Sequence, residues 1–176
     1  MARPAELLRE AVRQHRAGDL ARAQQLYVQV LGAEPDNAAA HHLLGMAAMA
    51  QGDVARGVEQ FTRAVECDPN VAEFRHHLGV ALGAAGRAEE ALSALIAALA
   101  ISPNSASLHN DLGEALRSLE RFEEAQAAYR VAIALEPALA SAHSGLAAAF
   151  YGQAKYESAA GAYRDALRLA PSDVSA

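Results

Sequence analysis

Cysteine occurs once in this 176-residue chain, as Cys67, lysine once, as Lys155, and tryptophan not at all. A lone cysteine excludes an internal disulfide and cannot by itself supply a thiolate metal site. Aromatic residues make up only 5% of the chain while alanine is abundant, so helices must approach closely through small side chains instead of closing on aromatic plugs. A formal charge of −6, with no basic stripe to offset it locally, argues against nucleic acid and against an anionic membrane, since both need a surface that displaces counterions. No window approaches the roughly 18 apolar residues of a membrane span. The segment from Met1 to Ala17 carries Arg3, Arg9, Arg13 and Arg16 and lacks the uninterrupted apolar stretch of a signal peptide. The expectation is a cytoplasmic protein with no membrane insertion. Arginine in place of lysine, together with the alanine content, points to a GC-rich bacterial genome.

Signatures of catalysis are missing as well. Ser93, Ser102, Ser118 and Ser144 have no Gly-x-Ser-x-Gly elbow around them, and no glycine-rich phosphate loop is present. The adjacent acids Glu89-Glu90 and Glu123-Glu124 open helices, where the helix dipole favours carboxylates. No catalytic residue and no cofactor is assigned, and the chain is expected not to be an enzyme.

What the chain does contain is a repeat. Pro35, Pro69, Pro103, Pro137 and Pro171 follow one another at a 34-residue step. Leu44-Gly45, Leu78-Gly79 and Leu112-Gly113 keep the same register, and so do Tyr27, Phe61, Leu95, Tyr129 and Tyr163. Within each repeat the apolar stripe has helical period, is interrupted, and resumes. The spacing predicts helix pairs at 5–17 with 20–32, 38–51 with 54–67, 72–85 with 88–101, 105–119 with 122–135, and 139–153 with 156–169. Gly18, Gly52 and Gly86 stand where a left-handed helix ending is wanted. Asp19 and Asp53 then cap the second helices. Asn37 and Ser105 follow the inter-repeat prolines as caps of the next helix, and Asn70 with Glu73 has the spacing of a capping box. Two registers hold only small residues: Ala23, Gly57, Ala91, Ala125 and Ala159 form one, and Ala11, Gly45, Gly79, Gly113 and Ala147 the other. Cys67 shares its register with Ala33, Ile101, Leu135 and Leu169, so it is expected to be a small buried hydrophobe near a helix end.

The stretch His41-His42-Leu43-Leu44-Gly45 with Gly57, Phe61, Ala64 and Pro69, and the parallel Leu112-Gly113, Ala125, Tyr129, Ala132 and Pro137, resembles the tetratricopeptide repeat family over essentially the whole chain. The resemblance implies an all-α fold, a right-handed α-solenoid superhelix of antiparallel helix pairs. It places one domain over 1–176 with repeats at about 4–37, 38–71, 72–105, 106–139 and 140–173. The sequence departs from the family where a large aromatic often opens the first helix; His41, Arg75, His109 and His143 stand there instead.

The resemblance also implies a concave groove, lined by the first helices, that holds a protein or peptide partner. Spacing i, i+4, i+7 puts Leu8, Val12 and His15 on that face, then His42, Met46 and Met49, then His76, Val80 and Gly83, then Asn110, Glu114 and Arg117, then Ser144, Ala148 and Tyr151. Expected partner contacts are His42, Met46, Met49, His76, His77, Val80, Asn110, Glu114, Arg117 and Tyr151. The alternative for the methionines is that they fill gaps between helices. A family subclass that grips acidic chaperone tails through lysine and asparagine is not matched at these places. The leading function is therefore a non-catalytic protein-interaction scaffold. The alternative is the substrate-recruiting N-terminal array of a larger bacterial transferase, a sulfotransferase or glycosyltransferase.

Seven histidines allow three readings: metal ligands, ligand-facing groups, or packing groups. Neighbouring first helices stand roughly 10 Å apart, whereas metal ligands must converge to about 2.1 Å from the ion. No metal site is expected on that ground, Glu73 being the only carboxylate in register with the pairs His41-His42 and His76-His77. Histidines on the groove would gain charge as pH falls through about 6.5, favouring an acidic peptide. The chain stops at Pro171-Ser172-Asp173-Val174-Ser175-Ala176 without the polar extra helix that finishes arrays of this type. Tyr163, Ala166 and Leu167 are expected to be left on an open end, with either a homo-oligomer through that repeat or an excised domain as the consequence.

Overall fold

The computed structural model of the chain describes residues 3–169. Among them are ten helices and no strand: α1 (Pro4–Arg16), α2 (Leu20–Ala33), α3 (Ala38–Ala50), α4 (Val54–Cys67), α5 (Ala72–Ala84), α6 (Ala88–Ile101), α7 (Ala106–Ser118), α8 (Phe122–Leu135), α9 (Ala140–Gly152) and α10 (Tyr156–Leu169). Every bound lies within one residue of the spacing-based expectation. Pro171 and the chain end beyond it lie outside the described residues. The helices gather into two compact units, Met1–Gly86 and Arg87–Ala176, divided between the two helices of the third repeat.

Local chemistry accounts for the helix starts. Asp19 accepts from the Arg22 amide at 3.0 Å, Asp53 from Arg56 at 3.1 Å, and Asn37 from Ala40 at 2.9 Å. Each satisfies one of the amides that a helix N-terminus leaves without an intrahelical partner. The expected capping box of Asn70 and Glu73 does not form. The chain stays extended through Val71 (φ −99°, ψ 109°), which becomes the N-cap and has no side-chain acceptor to offer. In α6 and α8 the cap positions hold Arg87 and Arg121, which also cap nothing and instead pair with Glu90 and Glu124 one turn on.

The helix-to-helix break within a repeat uses a left-handed residue. Gly18, Gly52 and Gly86 take it at φ of 83°, 79° and 74°. The fourth and fifth repeats keep the conformation without the glycine, at Glu120 (φ 59°) and Ala154 (φ 58°).

In the first unit, Ala11, Ala23, Leu26, Tyr27 and Leu44 form a core against which Leu7, Leu8, Leu31 and Leu43 pack. The small residues are there because large ones come to meet them. A Cβ on Gly45 would lie 2.8 Å from the Phe61 ring, and one on Gly57 would lie 2.5 Å from the Met49 sulfur. In the second unit the Tyr129 ring fills the space between Gly113 of α7 and Gly145 of α9. All five members of the Ala23 register and all five of the Ala11 register are buried. Cys67 is only half-buried, at the last turn of α4, in contrast to the expected buried hydrophobe. Tyr163 is 42% exposed although Tyr27, Phe61, Leu95 and Tyr129 in its register are buried, and Leu167 is 40% exposed while Ala166 is buried. No helix among the described residues is long and apolar enough to cross a membrane.

Candidate functional site

His41, Arg75, His109 and His143, which replace the family's opening aromatic, share one structural task. His41 Nε2 lies 2.8 Å from the Pro35 carbonyl, Arg75 Nε 2.9 Å from Pro69, His109 Nε2 3.0 Å from Pro103, and His143 Nε2 3.0 Å from Pro137. A carbonyl can only accept, so each of these nitrogens carries the proton and donates. The first helix of a repeat is thereby tied to the turn that precedes it.

His42 has a different neighbourhood. At 6% exposure it lies inside the first unit, its ring 4.7 Å from that of Phe74 and 5.6 Å from that of Phe61. Its Nε2 is 2.7 Å from Nδ1 of His77, whose ring stacks on His76 at 5.5 Å. Burial first, and the His77 imidazole second, push the His42 pKa down to about 4, against a smaller opposing pull from Glu73. The expected gain of charge by groove histidines near pH 6.5 therefore does not extend to His42. It pairs across to His77 and not to its register partner His76. The ligand atoms of His42, Glu73 and His77 all lie within 4.8 Å of one another. The expected 10 Å separation of helices does not keep these side chains apart, because the imidazoles lean toward each other from α3 and α5.

A further group of side chains gathers on α7 to α10. A cavity of about 430 Å³ is lined by Asn110, Asp111, Glu114 and Arg117 from α7, Tyr129 from α8, Ser141, Ser144, Gly145 and Ala148 from α9, and Tyr163 from α10. Arg117 and Glu114, one turn apart on α7, form a two-pronged ion pair, and the Tyr129 hydroxyl donates to Glu114 Oε2 at 3.1 Å. The Arg117 hydrogen bond is the leading reason the Glu114 carboxyl is held below its usual range, and it raises Arg117 in turn. Burial first, then the Glu114 charge, pushes the Tyr129 phenol up. Asn110 donates from Nδ2 to Asp111 at 3.0 Å, while its Oδ1 is buried with no hydrogen-bond partner. An unsatisfied buried acceptor is costly to a fold and calls for an explanation.

Of the ten expected contacts, Asn110, Glu114 and Arg117 come together in this cavity. Tyr151 is 62% exposed at the end of α9, its ring 5.4 Å from Tyr156. Val80 is exposed, Met46, His76 and His77 are half-buried, and Met49 is turned to Gly57 as a gap filler. Lining residues that helical spacing did not place on the groove face are Asp111, Tyr129, Ser141, Gly145 and Tyr163. The hydroxyl that distinguishes Tyr129 from Phe61 and Leu95 in one packing register was the available signal.

Comparison with known proteins bears on this geometry. Residues 8–72 and 42–106 match one sequence profile of the tetratricopeptide repeat, and residues 113–154 match a second, TPR repeat, profile. The chain belongs to the tetratricopeptide repeat family. Among solved structures, MamA residues 41 to the end from Desulfovibrio magneticus RS-1 aligns with a TM-score of 0.89 at 24% identity, covering 99% of each chain. A second MamA crystal structure aligns at 0.83 and 26% identity over 90% of this chain and 93% of that one. YrrB, described as a TPR protein with an unusual peptide-binding site, aligns at 0.82 and 18% identity over 95% of this chain and 86% of that one. A search of curated proteins finds no significant match. An all-α tetratricopeptide solenoid fold is thus established for this chain.

Proposed function

We propose that this chain, as one domain over 1–176, is a non-catalytic cytoplasmic scaffold that holds an extended segment of another protein on the α7–α9 face. The observation that carries the reading is the buried, unpartnered Oδ1 of Asn110, a residue that lines a largely apolar cavity together with the Glu114–Arg117 pair. A backbone N–H of an extended peptide supplies what that oxygen lacks once the Asn110 side chain turns to bring Oδ1, closed to solvent in the free fold, to the cavity surface, and no side chain of particular type is needed to do so. Glu114 and Arg117 beside it present an acceptor and a donor already paired, so they orient a peptide amide without leaving a net charge to neutralise. Ser144 and Ala148, small residues on α9, leave room for the chain to approach. The peptide-binding site named for YrrB is a precedent for the fold, not for these residues. In the first unit, Met46, His76 and Val80 are the proposed contacts of the same kind.

The test selects binders from a displayed library of random peptides and measures their affinity for variants. Asn110→Leu keeps the side-chain size and removes the unsatisfied acceptor together with the Nδ2 bond to Asp111. Selected peptides should bind it roughly tenfold more weakly, about 1.4 kcal/mol. Unchanged affinity in Asn110→Leu and in the double variant Glu114→Gln, Arg117→Gln would place binding elsewhere.

A further inference from the structure

The cluster on α3 and α5 goes beyond peptide binding and is independent of it. Glu73 and His77 are four residues apart on α5 and so share one face of that helix. His42 comes to them from α3, its ring held in place by Phe61 and Phe74. We propose that His42 Nε2, His77 Nδ1 and the Glu73 carboxylate form a binding site for one divalent ion of the zinc class, which ties α3 to α5.

Two imidazoles and one carboxylate are a ligand set that suits zinc and its late first-row neighbours. Magnesium and calcium, which prefer all-oxygen shells, are disfavoured. The three ligand atoms already lie within 4.8 Å of one another. Two nitrogens bound at about 2.05 Å to a tetrahedral ion stand about 3.3 Å apart. The His42–His77 pair, at 2.7 Å, must therefore open by about half an ångström. His77 is only half-buried and can make that adjustment, while the packed His42 stays where it is. The ion takes the place of the single proton now shared by the two nitrogens. That proton moves to a far ring nitrogen, so both imidazoles remain neutral and no net charge is created on them. Glu73 is exposed, which gives the ion a path from solvent and leaves a fourth position for water.

The experiment uses the full chain, stripped of metal with a chelator, and titrates it with zinc chloride by calorimetry. Cobalt(II) follows as a visible-absorbing substitute whose bands report the coordination number. One zinc per chain is expected, with a rise in the unfolding midpoint. Glu73→Gln and His77→Ala should each weaken binding by more than tenfold, because they remove a ligand outright. The double variant His109→Ala, His143→Ala, which removes histidines outside the cluster, should bind as the parent does. Absence of saturable one-to-one binding, or affinity retained in both cluster variants, overturns the proposal. Glu73 is exposed and contributes no core packing, so Glu73→Gln keeps the test decisive even where circular dichroism shows His77→Ala to be unfolded.

Discussion

Each inter-repeat turn is held by one side chain reaching back six residues to a proline carbonyl, whether that side chain is histidine or arginine. What the position requires is a donor at the right reach, not an aromatic surface, and this explains how the chain dispenses with the family's opening aromatic. The left-handed position is less well served. Gly18, Gly52 and Gly86 adopt it without steric cost, whereas Glu120 and Ala154 place a Cβ against the following carbonyl. That strain costs an ordinary residue about 1–2 kcal/mol, and glycine gives back part of the gain through the entropy of the unfolded chain. Glu120→Gly and Ala154→Gly should each stabilise the protein by about 0.5–1 kcal/mol, read as a higher urea midpoint at unchanged slope. Both residues are exposed, so no packing is lost. A lower midpoint in both variants would show that the left-handed turn is not a strained point.

At the scale of the helices, the pattern of the sequence was a sufficient guide. The 34-residue period, the small-residue registers and the aspartate caps fix where helices begin, end and touch, because each is a local constraint that leaves a mark on residue type. The candidate site was less legible. Asn110, Glu114 and Arg117 were found from helical spacing alone, since i, i+4, i+7 on one helix defines a face whatever surrounds it. The inward turn of His42, the tuck of Met49 into the notch at Gly57 and the hydroxyl bond of Tyr129 depend on side-chain rotation between helices, which no spacing encodes. Val71 shows the same limit at a helix start: Asn70 and Glu73 have capping-box spacing, but one more extended residue puts them out of phase.

Helix contacts made through tyrosine also carry a pH signature. Tyr27, fully buried between α1 and α2, has its hydroxyl 3.1 Å from His15 Nδ1, and burial pushes its pKa up to about 12. Tyr129 is raised by burial and by the Glu114 charge. For both phenols the folded state favours the protonated form. Their contribution to stability is complete below the unfolded value of about 10. It is lost as pH rises from there through the folded value, because the unfolded chain then releases the protons first. Alkaline titration followed at the phenolate band should therefore show two of the five tyrosines ionising only together with loss of helical signal. Five phenols ionising while the helical signal holds would contradict the buried placement of these two.

For the molecule as a whole, the formal charge is −6 with fourteen arginines and one lysine, a balance that disfavours binding driven by counterion release, and the chain belongs to a repeat family whose arrays build extended surfaces. Specificity then rests on what each face holds, and α7 holds a buried, unsatisfied amide oxygen on the same helix as a paired carboxylate and guanidinium. We propose that the α7–α9 face receives an extended peptide. The most direct measurement is amide chemical-shift mapping of the isotope-labelled chain as a selected peptide is added. The largest shifts are expected on Asn110, Glu114, Arg117, Ser144 and Ala148, with the Asn110 side-chain amide among them. Saturable binding whose largest shifts lie away from α7 and α9 would contradict it.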